Sequence, residues 1–236
     1  MTKFDLTDPR TFDAALDGVS SVFLMRPPQI ARGAAFRPFL EACMARGIQR
    51  MVVLSVKGAD RNRVLPHNAM EHEVKIRGFD WTMLRPADFM QNLETVHRDD
   101  IRLRDEIAVP AGGGASAFVD VEDVGAAAAQ VLVEDGHSGR GYTLTGPEAL
   151  TFEQVADVLS EVLGRRIRYR PPSVPAFIRS RMAEATPFGM ALVMTALYSV
   201  QRAGGAAEVT EELPRLLGHP ATDLRTYVAR ASSAWR

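Results

Sequence analysis

The chain has 236 residues, 46% of them hydrophobic and 24% charged, a profile that excludes a disordered chain and suits one large α/β domain or one with a small appendage. A net charge of -1 leaves no basic surplus for nucleic acid or an anionic membrane surface. The single cysteine, Cys43, excludes an internal disulfide framework and a cysteine-built zinc site. The longest nearly apolar stretch, 188–200, is 13 residues and too short to span a bilayer. The opening MTKFDLTDPR lacks the basic-then-apolar order of a secretion signal, so a cytoplasmic protein without membrane or nucleic-acid partners is expected.

Short β-branched or mixed runs predict strands at 21–25, 50–55, 81–86, 117–121 and 142–145. VFLM and MVVL are apolar on successive residues, as expected of interior parallel strands buried on both faces. Between the runs lie helical spacings. Over 34–46, Phe36, Phe39, Leu40, Cys43 and Met44 recur at offsets of three and four. Segments 66–77 and 121–134 repeat the pattern, and Pro66 suits a first helical turn. A helix over 152–163 starts after Thr151, a good N-cap with Gln154 at the capping-box position, and stops at Gly164. Beyond Arg165 a short IRYR strand precedes Met-rich helical segments to about 204, and a last helix spans roughly 221–234 after the GHPAT turn. The alternation argues for βαβ units, with a core over 1–145 and a mostly helical cap over 146–236.

The string LRPADFMQNL (84–93), preceded by HNAMEHEVKIRG and FDWTM, resembles the NmrA-like branch of the atypical short-chain dehydrogenases/reductases. DLTDP (5–9), VFLMRPP (22–28), ARGIQRMVVLSVKGA (45–59), FVDVEDVGAAAAQVL (118–132) and GRGYTLTGPEALTFEQVADVLSEVLGR (139–165) fit the same family in the same order. The resemblance implies a Rossmann-like α/β sheet with a small helical C-terminal cap, binding NADP or NAD. It places Asp5, Leu6, Arg26, Pro27, Pro28, Ser55, Val56 and Lys57 on the cofactor side, and Pro86, Phe89, Asn92 and Met190 on the substrate side.

Members of that family open with a strand, a glycine-rich turn and a helix ahead of the equivalent of DLTDP. The sequence given begins at about the third strand, so the sheet reads as N-terminally shortened, and its one glycine cluster, Gly112 to Gly114, precedes a strand. Without that cradle at a helix N-terminus, NAD(P)H binding is expected to be weak or absent, with a dissociation constant above roughly 100 μM. The VFLM strand would also lie at an edge, a position proteins protect. Three explanations stay open: an upstream start, re-pairing of residues 3–6 with VFLM, or cover by a second copy in a homodimer.

Ser55 ends a buried strand, where open parallel sheets place ligands. In ordinary short-chain dehydrogenases a serine there polarises the substrate, helped by a tyrosine and a lysine four residues apart. By spacing, that pair corresponds here to Asn68 and His72, so a tyrosinate mechanism is unsupported. Ser55 reads equally as a strand terminator. His67 and His72 are the candidate proton carriers, since imidazole titrates near neutrality. His67 and Glu71, four apart, also read as an exposed helix pair. Lys57 and Arg26 suit an anionic ligand, or solvent. Phe89 is a substrate contact or a core anchor. Met182, Met190, Met194, Phe177, Phe188 and Tyr198 suggest an adaptable apolar pocket, or cap packing and a dimer face. No histidine spacing indicates a metal site.

By resemblance, the expected function is an NAD(P)H-dependent oxidoreductase acting on a small apolar quinone, enone, imine or azo compound. Two alternatives stay open. One is a cofactor-independent isomerase, cyclase or lyase reusing the cleft; the other is a non-catalytic sensor or regulatory binding protein.

Overall fold

In a computed structural model of the chain, which describes residues 2–27, 30 and 32–236, strands and helices alternate along most of the sequence. The order is α1 (Phe12–Ala15), β1 (Ser21–Met25), α2 (Arg37–Ala45), β2 (Arg50–Leu54), α3 (Pro66–Lys75) and β3 (Asp80–Pro86). Next come α4 (Arg98–Arg104), β4 (Glu106–Ile107), β5 (Ala115–Ser116), α5 (Val121–Val133) and β6 (Arg140–Leu144). The chain finishes with β7 (Leu150–Thr151), α6 (Phe152–Leu163), β8 (Arg168–Tyr169), α7 (Val174–Ala183), α8 (Phe188–Arg202), α9 (Glu212–Leu217) and α10 (Leu224–Ala231).

The principal sheet has the order β1-β2-β3-β6, and all three pairings are parallel, as the βαβ pattern predicts. Met51, Val52 and Val53 are all buried; successive side chains of a strand point to opposite faces, so β2 is covered on both. Two compact units result. One comprises Met1–Pro86 and Val124–Leu144, the other Ala87–Asp123 and Thr145–Arg236. The sequence reading assigns 87–123 to the core, whereas the structure groups those residues with the C-terminal unit. Each unit has its own apolar core. Leu24, Phe36, Phe39, Leu40, Met51, Val53, Met70 and Met83 pack together in the first. Phe118, Phe152, Phe177, Tyr198, Tyr227 and Trp235 do so in the second.

Four expectations need correction. VFLM is not an interior strand: β1 is an edge, with Phe23 41% and Met25 61% exposed and only Leu24 fully buried. Residues 3–6 do not pair with it. Phe4 instead lies against the rings of Phe12 and Phe39, at 6.0 and 5.3 Å, and its backbone forms no ladder. The strand expected at 117–121 reduces to β5 and an isolated bridge between Phe89 and Val119. Loop carbonyls claim its backbone: Ala117 donates to Ala206 at 3.2 Å and Val119 to Asp88 at 2.8 Å. Finally, α1, α4 and α9 are additional, and the last helix begins at Leu224 rather than 221. All three extra helices are too short to show a full amphipathic period.

Other local readings hold. Thr151 caps α6 in a reciprocal box with Gln154, and Gly164 ends the helix at φ +67°. The glycine cluster 112–114 serves packing: Gly112 has φ +56°, and a Cβ built on Gly114 would overlap the Gln201 carbonyl at the end of α8. Gly114→Ala is therefore expected to cost about 1–3 kcal/mol, because backbone must shift to admit the methyl group. A lowered urea midpoint at unchanged m-value would show it, and an unchanged midpoint would contradict the close approach.

Candidate functional site

Parallel strands ending side by side bring three segments to one sheet edge in the first unit. The Ser55 N–H donates to the Leu84 carbonyl at 2.7 Å, and the Lys57 N–H donates to the Pro86 carbonyl at 2.9 Å, so β2 and β3 leave the sheet in step. Behind them α3 begins at Pro66, which fixes φ without sacrificing an intrahelical donor. Two turns of α3 carry His67, Asn68, Glu71 and His72, and the structure separates these four sharply.

Glu71, expected on an exposed face, is only 1% exposed. The Ser55 hydroxyl donates to its Oε1 at 2.6 Å, while Arg85 Nε and Nη2 grip the two oxygens at 2.9 and 2.7 Å. Lys75 Nζ adds a contact at 3.1 Å. Burial pushes the Glu71 carboxyl up, but the hydrogen bonds from Arg85 and Ser55 outweigh it and hold the group below its ordinary value. Gly141, opposite the Arg85 guanidinium, leaves room for it; a Cβ there would meet Nη1 at 2.5 Å. Ser55 thus spends its proton on a side chain rather than on backbone. Glu71 and Arg85 were missed as a pair, although a charged residue inside LRP, in an apolar strand, demands a buried counter-charge.

His67 is half-buried, with Arg26 Nε at 3.4 Å from its Nε2. Burial, aided by the Arg26 charge, lowers its pKa to about 4, so the ring is neutral at pH 7. Arg26 Nη1 donates to the Ile30 carbonyl at 2.7 Å. Asn68 donates to the Ala59 carbonyl at 2.6 Å. His72 faces solvent, away from these groups. Asp5 is exposed and accepts from Thr7, whereas Leu6 is buried in the core beside Phe12. Arg26, Pro27, Ser55, Val56 and Lys57 therefore share the carboxyl edge, while Asp5 and Leu6 lie before α1; Pro28 falls outside the described residues. Those edge residues suit the ring and ribose end of a dinucleotide. For the pyrophosphate, the described residues offer no glycine-walled helix start at this edge, and Gly112–Gly114 is committed to packing against α8.

The second unit carries Phe89 and Asn92, both partly buried, and Met190, which is exposed. Phe89 also forms the bridge to Val119. Asn92 Nδ2 donates to Asp88 Oδ1 at 2.8 Å. His97 Nε2 lies 3.0 Å from the Tyr198 hydroxyl, inside an aromatic box with Phe152 and Phe177. Of the cap residues, Phe177 and Tyr198 are core, whereas Met182, Met190 and Phe188 are exposed. No spacing pattern marks the His97–Tyr198 contact, which joins residues 101 positions apart.

The NmrA-like family model matches residues 1–226. The chain belongs to the NmrA-like family. It is 31% identical to an NAD(P)H azoreductase of Xenophilus azovorans, over 98% of this chain and 82% of that protein. It is 33% identical to the (4-alkanoyl-5-oxo-2,5-dihydrofuran-3-yl)methyl phosphate reductase of Streptomyces griseus, over 97% and 81%. Among solved structures, an NADPH-dependent quinone oxidoreductase from Escherichia coli, complexed with NADPH, superposes with a TM-score of 0.87 at 26% identity. That match covers 98% of this chain and 83% of the other. The Citrobacter triphenylmethane reductase complexed with NADP(H) gives 0.86 at 24% identity, over 97% and 82%, and bears on the fold alone. These relatives bear out the Rossmann-like fold. Among the described residues no helix is long and apolar enough to cross a membrane.

Glu71→Ala removes the bidentate partner of a buried guanidinium, with Asp60 at 4.0 Å, and is expected to cost about 3–5 kcal/mol, against about 1–3 kcal/mol for Ser55→Ala, which leaves that bidentate pair intact. Equal losses in urea titrations would refute this hierarchy. A second expectation concerns pH. The His67 pKa falls from 6.5 to about 4 on folding, so its contribution to stability is complete above pH 6.5 and is lost as pH drops towards 4. The unfolding free energy of His67→Gln should fall less steeply across that window than that of the parent. Identical slopes would show that His67 is not held neutral.

Proposed function

We propose that this protein is an NAD(P)H-dependent reductase of small, apolar organic acceptors of the quinone, enone, imine or azo type. The observation that carries the reading is the likeness to an NADPH-complexed quinone oxidoreductase over 98% of this chain, at a TM-score of 0.87 and 26% identity. The relationship to an azoreductase supports the same substrate range. When bound, the nicotinamide supplies a hydride. Arg26, Pro27 and Ser55 to Lys57 are the residues assigned to hold its ring and ribose end. Within this reading the Glu71–Arg85 pair keeps the ends of β2 and β3 rigid. His67, neutral and fixed beside Arg26, orients polar atoms at the edge by hydrogen bonding rather than by carrying charge. Phe89, Asn92 and Met190 are the substrate-side candidates, supplying apolar surface and one amide.

The test is oxidation of NADPH and of NADH by the purified 236-residue chain with 2-methyl-1,4-naphthoquinone or methyl red, alongside calorimetric titration of each nucleotide. Nucleotide-dependent reduction is expected. His67→Ala should lower turnover by roughly 10²-fold, while the exposed His72→Ala leaves it unchanged. Conversion of an acceptor without any nucleotide would favour a cofactor-independent enzyme. Nucleotide binding without turnover of any acceptor would favour a sensor.

A further inference from the structure

α8 runs for 15 residues in the second unit, and a narrow stripe of it is enough to anchor the helix there. Ala191, Tyr198 and Gln201 are buried. The Tyr198 ring meets those of Phe177 and Phe152 at 5.6 and 6.0 Å between centroids, and the Gln201 backbone closes against Gly114. Much of the remaining surface faces out. Phe188 is 55% exposed, Leu192 44%, Val193 54%, Leu197 58% and Val200 55%. At about 100° per residue these five fall on one half of the helix circumference. Gly189, Ala196 and Ser199, all exposed, fill the gaps between them. Met190 lies at the margin of the arc and stays with the substrate-side candidates.

No charged residue occurs between Glu184 and Arg202. A helix with one side in solvent normally carries its charges on that side. In the same unit α6 does so: Val155, Ala156 and Leu159 are buried, while Glu153, Asp157 and Glu161 are exposed. On α8 the outward half is as apolar as the inward stripe. These side chains add nothing to the core of their own chain, so their burial awaits another surface.

We propose that the exposed half of α8 is an interface with a second copy of this chain, built about a two-fold axis that crosses the helix near Ala196 and sets the two α8 helices antiparallel. The inference is independent of the reductase reading. Three observations select this occupant. The first is area. Five large side chains at about half their full surface present roughly 500 Å², the size at which an apolar patch on a monomer marks an interaction site. Two such faces remove on the order of 1,000 Å² from water, which is the size a specific contact requires. The second is the lack of polar groups to select an unlike partner. Unlike chains recognise each other largely by complementary charge and hydrogen bonding, whereas here the Ser199 hydroxyl already donates to the Thr195 carbonyl at 2.8 Å. A second copy needs no such code, because two-fold symmetry sets each apolar residue against another of the same set, and antiparallel helices also oppose their dipoles. The third is the lack of cations. A helix that lies on a lipid surface carries Lys and Arg along its polar face, but α8 has only Arg202, in its last turn, and the chain has a net charge of -1.

Sedimentation equilibrium of the 236-residue chain, from about 1 to 100 μM, tests the interface. The parent is expected to approach twice the 25.9 kDa chain mass at the upper end. Val193→Glu combined with Leu197→Glu sets unpaired carboxylates into the contact and should weaken association by roughly a hundredfold or more. Ala196→Cys, close to the axis, should give a disulfide-linked dimer on oxidation by diamide. Val133→Cys, at a residue 79% exposed on α5, should not, and the native Cys43 is buried. The crosslink reads an otherwise unchanged helix, so it decides the matter even where the double variant fails to fold. A parent that stays monomeric, a dimer that persists in the folded double variant, or an Ala196→Cys chain that does not crosslink would each overturn the assignment. Flotation of a monomeric parent with phosphatidylcholine–phosphatidylglycerol vesicles would overturn it in favour of a lipid surface.

Discussion

The buried carboxylate of Glu71 is the constraint on which the first unit depends. It lies where α3 passes behind the ends of β2 and β3, and it draws one hydrogen bond from Ser55 and two from Arg85. Desolvating such a group is costly, and an isolated ionised carboxyl would not survive there. The bidentate guanidinium makes burial tolerable because its planar fork matches both oxygens at once. Three elements thereby acquire one fixed relation. The loops that follow β2 and β3 leave from a rigid frame, which is what a precise sheet-edge site requires. Ser55, at a position that invites a catalytic reading, instead completes the frame.

The same sheet has one weak side. β2 is covered on both faces, but β1 shows Phe23 and Met25 to solvent and pairs only with β2 among the described residues. The apolar run that predicts an interior strand is real as a pattern. What it encodes is the environment that strand prefers, and a run of β-branched and aromatic residues cannot say whether its neighbour lies in the same segment of chain. Phe4 illustrates the point. Its ring joins Phe12 and Phe39 on the α1–α2 side, a local aromatic contact that wins over strand pairing.

The parts of the fold legible in the sequence are those fixed by short-range chemistry. The capping box at Thr151 and Gln154, the glycine stop at 164 and the proline start of α3 all stand where local rules put them. So does the parallel pairing of β1, β2, β3 and β6, the first three of which carry apolar runs. Segment 117–121 was misleading because its alternation reflects loop residues anchored by Asp88 and Ala206, not a ladder. The candidate site was legible in outline and not in its pairings. Spacing along α3 groups His67 with Glu71 as an exposed pair, but rotation of the helix decides which residue faces the core, and the two take different partners. Only the Arg85 partner, fourteen residues away, reveals that Glu71 is the buried one.

Within each unit several titratable groups near the candidate positions are uncharged or ion-paired, while Arg26 brings a positive charge to the sheet edge. His67 and His97 are neutral, Tyr198 keeps its proton, and Glu71 and Asp100 are matched by Arg85 and Arg181. A flat, uncharged molecule with one or two hydrogen-bond acceptors loses little water and gains from each oriented donor. Azo compounds and quinones have that character, and the chain's relatives include reductases named for both. That character suits the acceptor class proposed above.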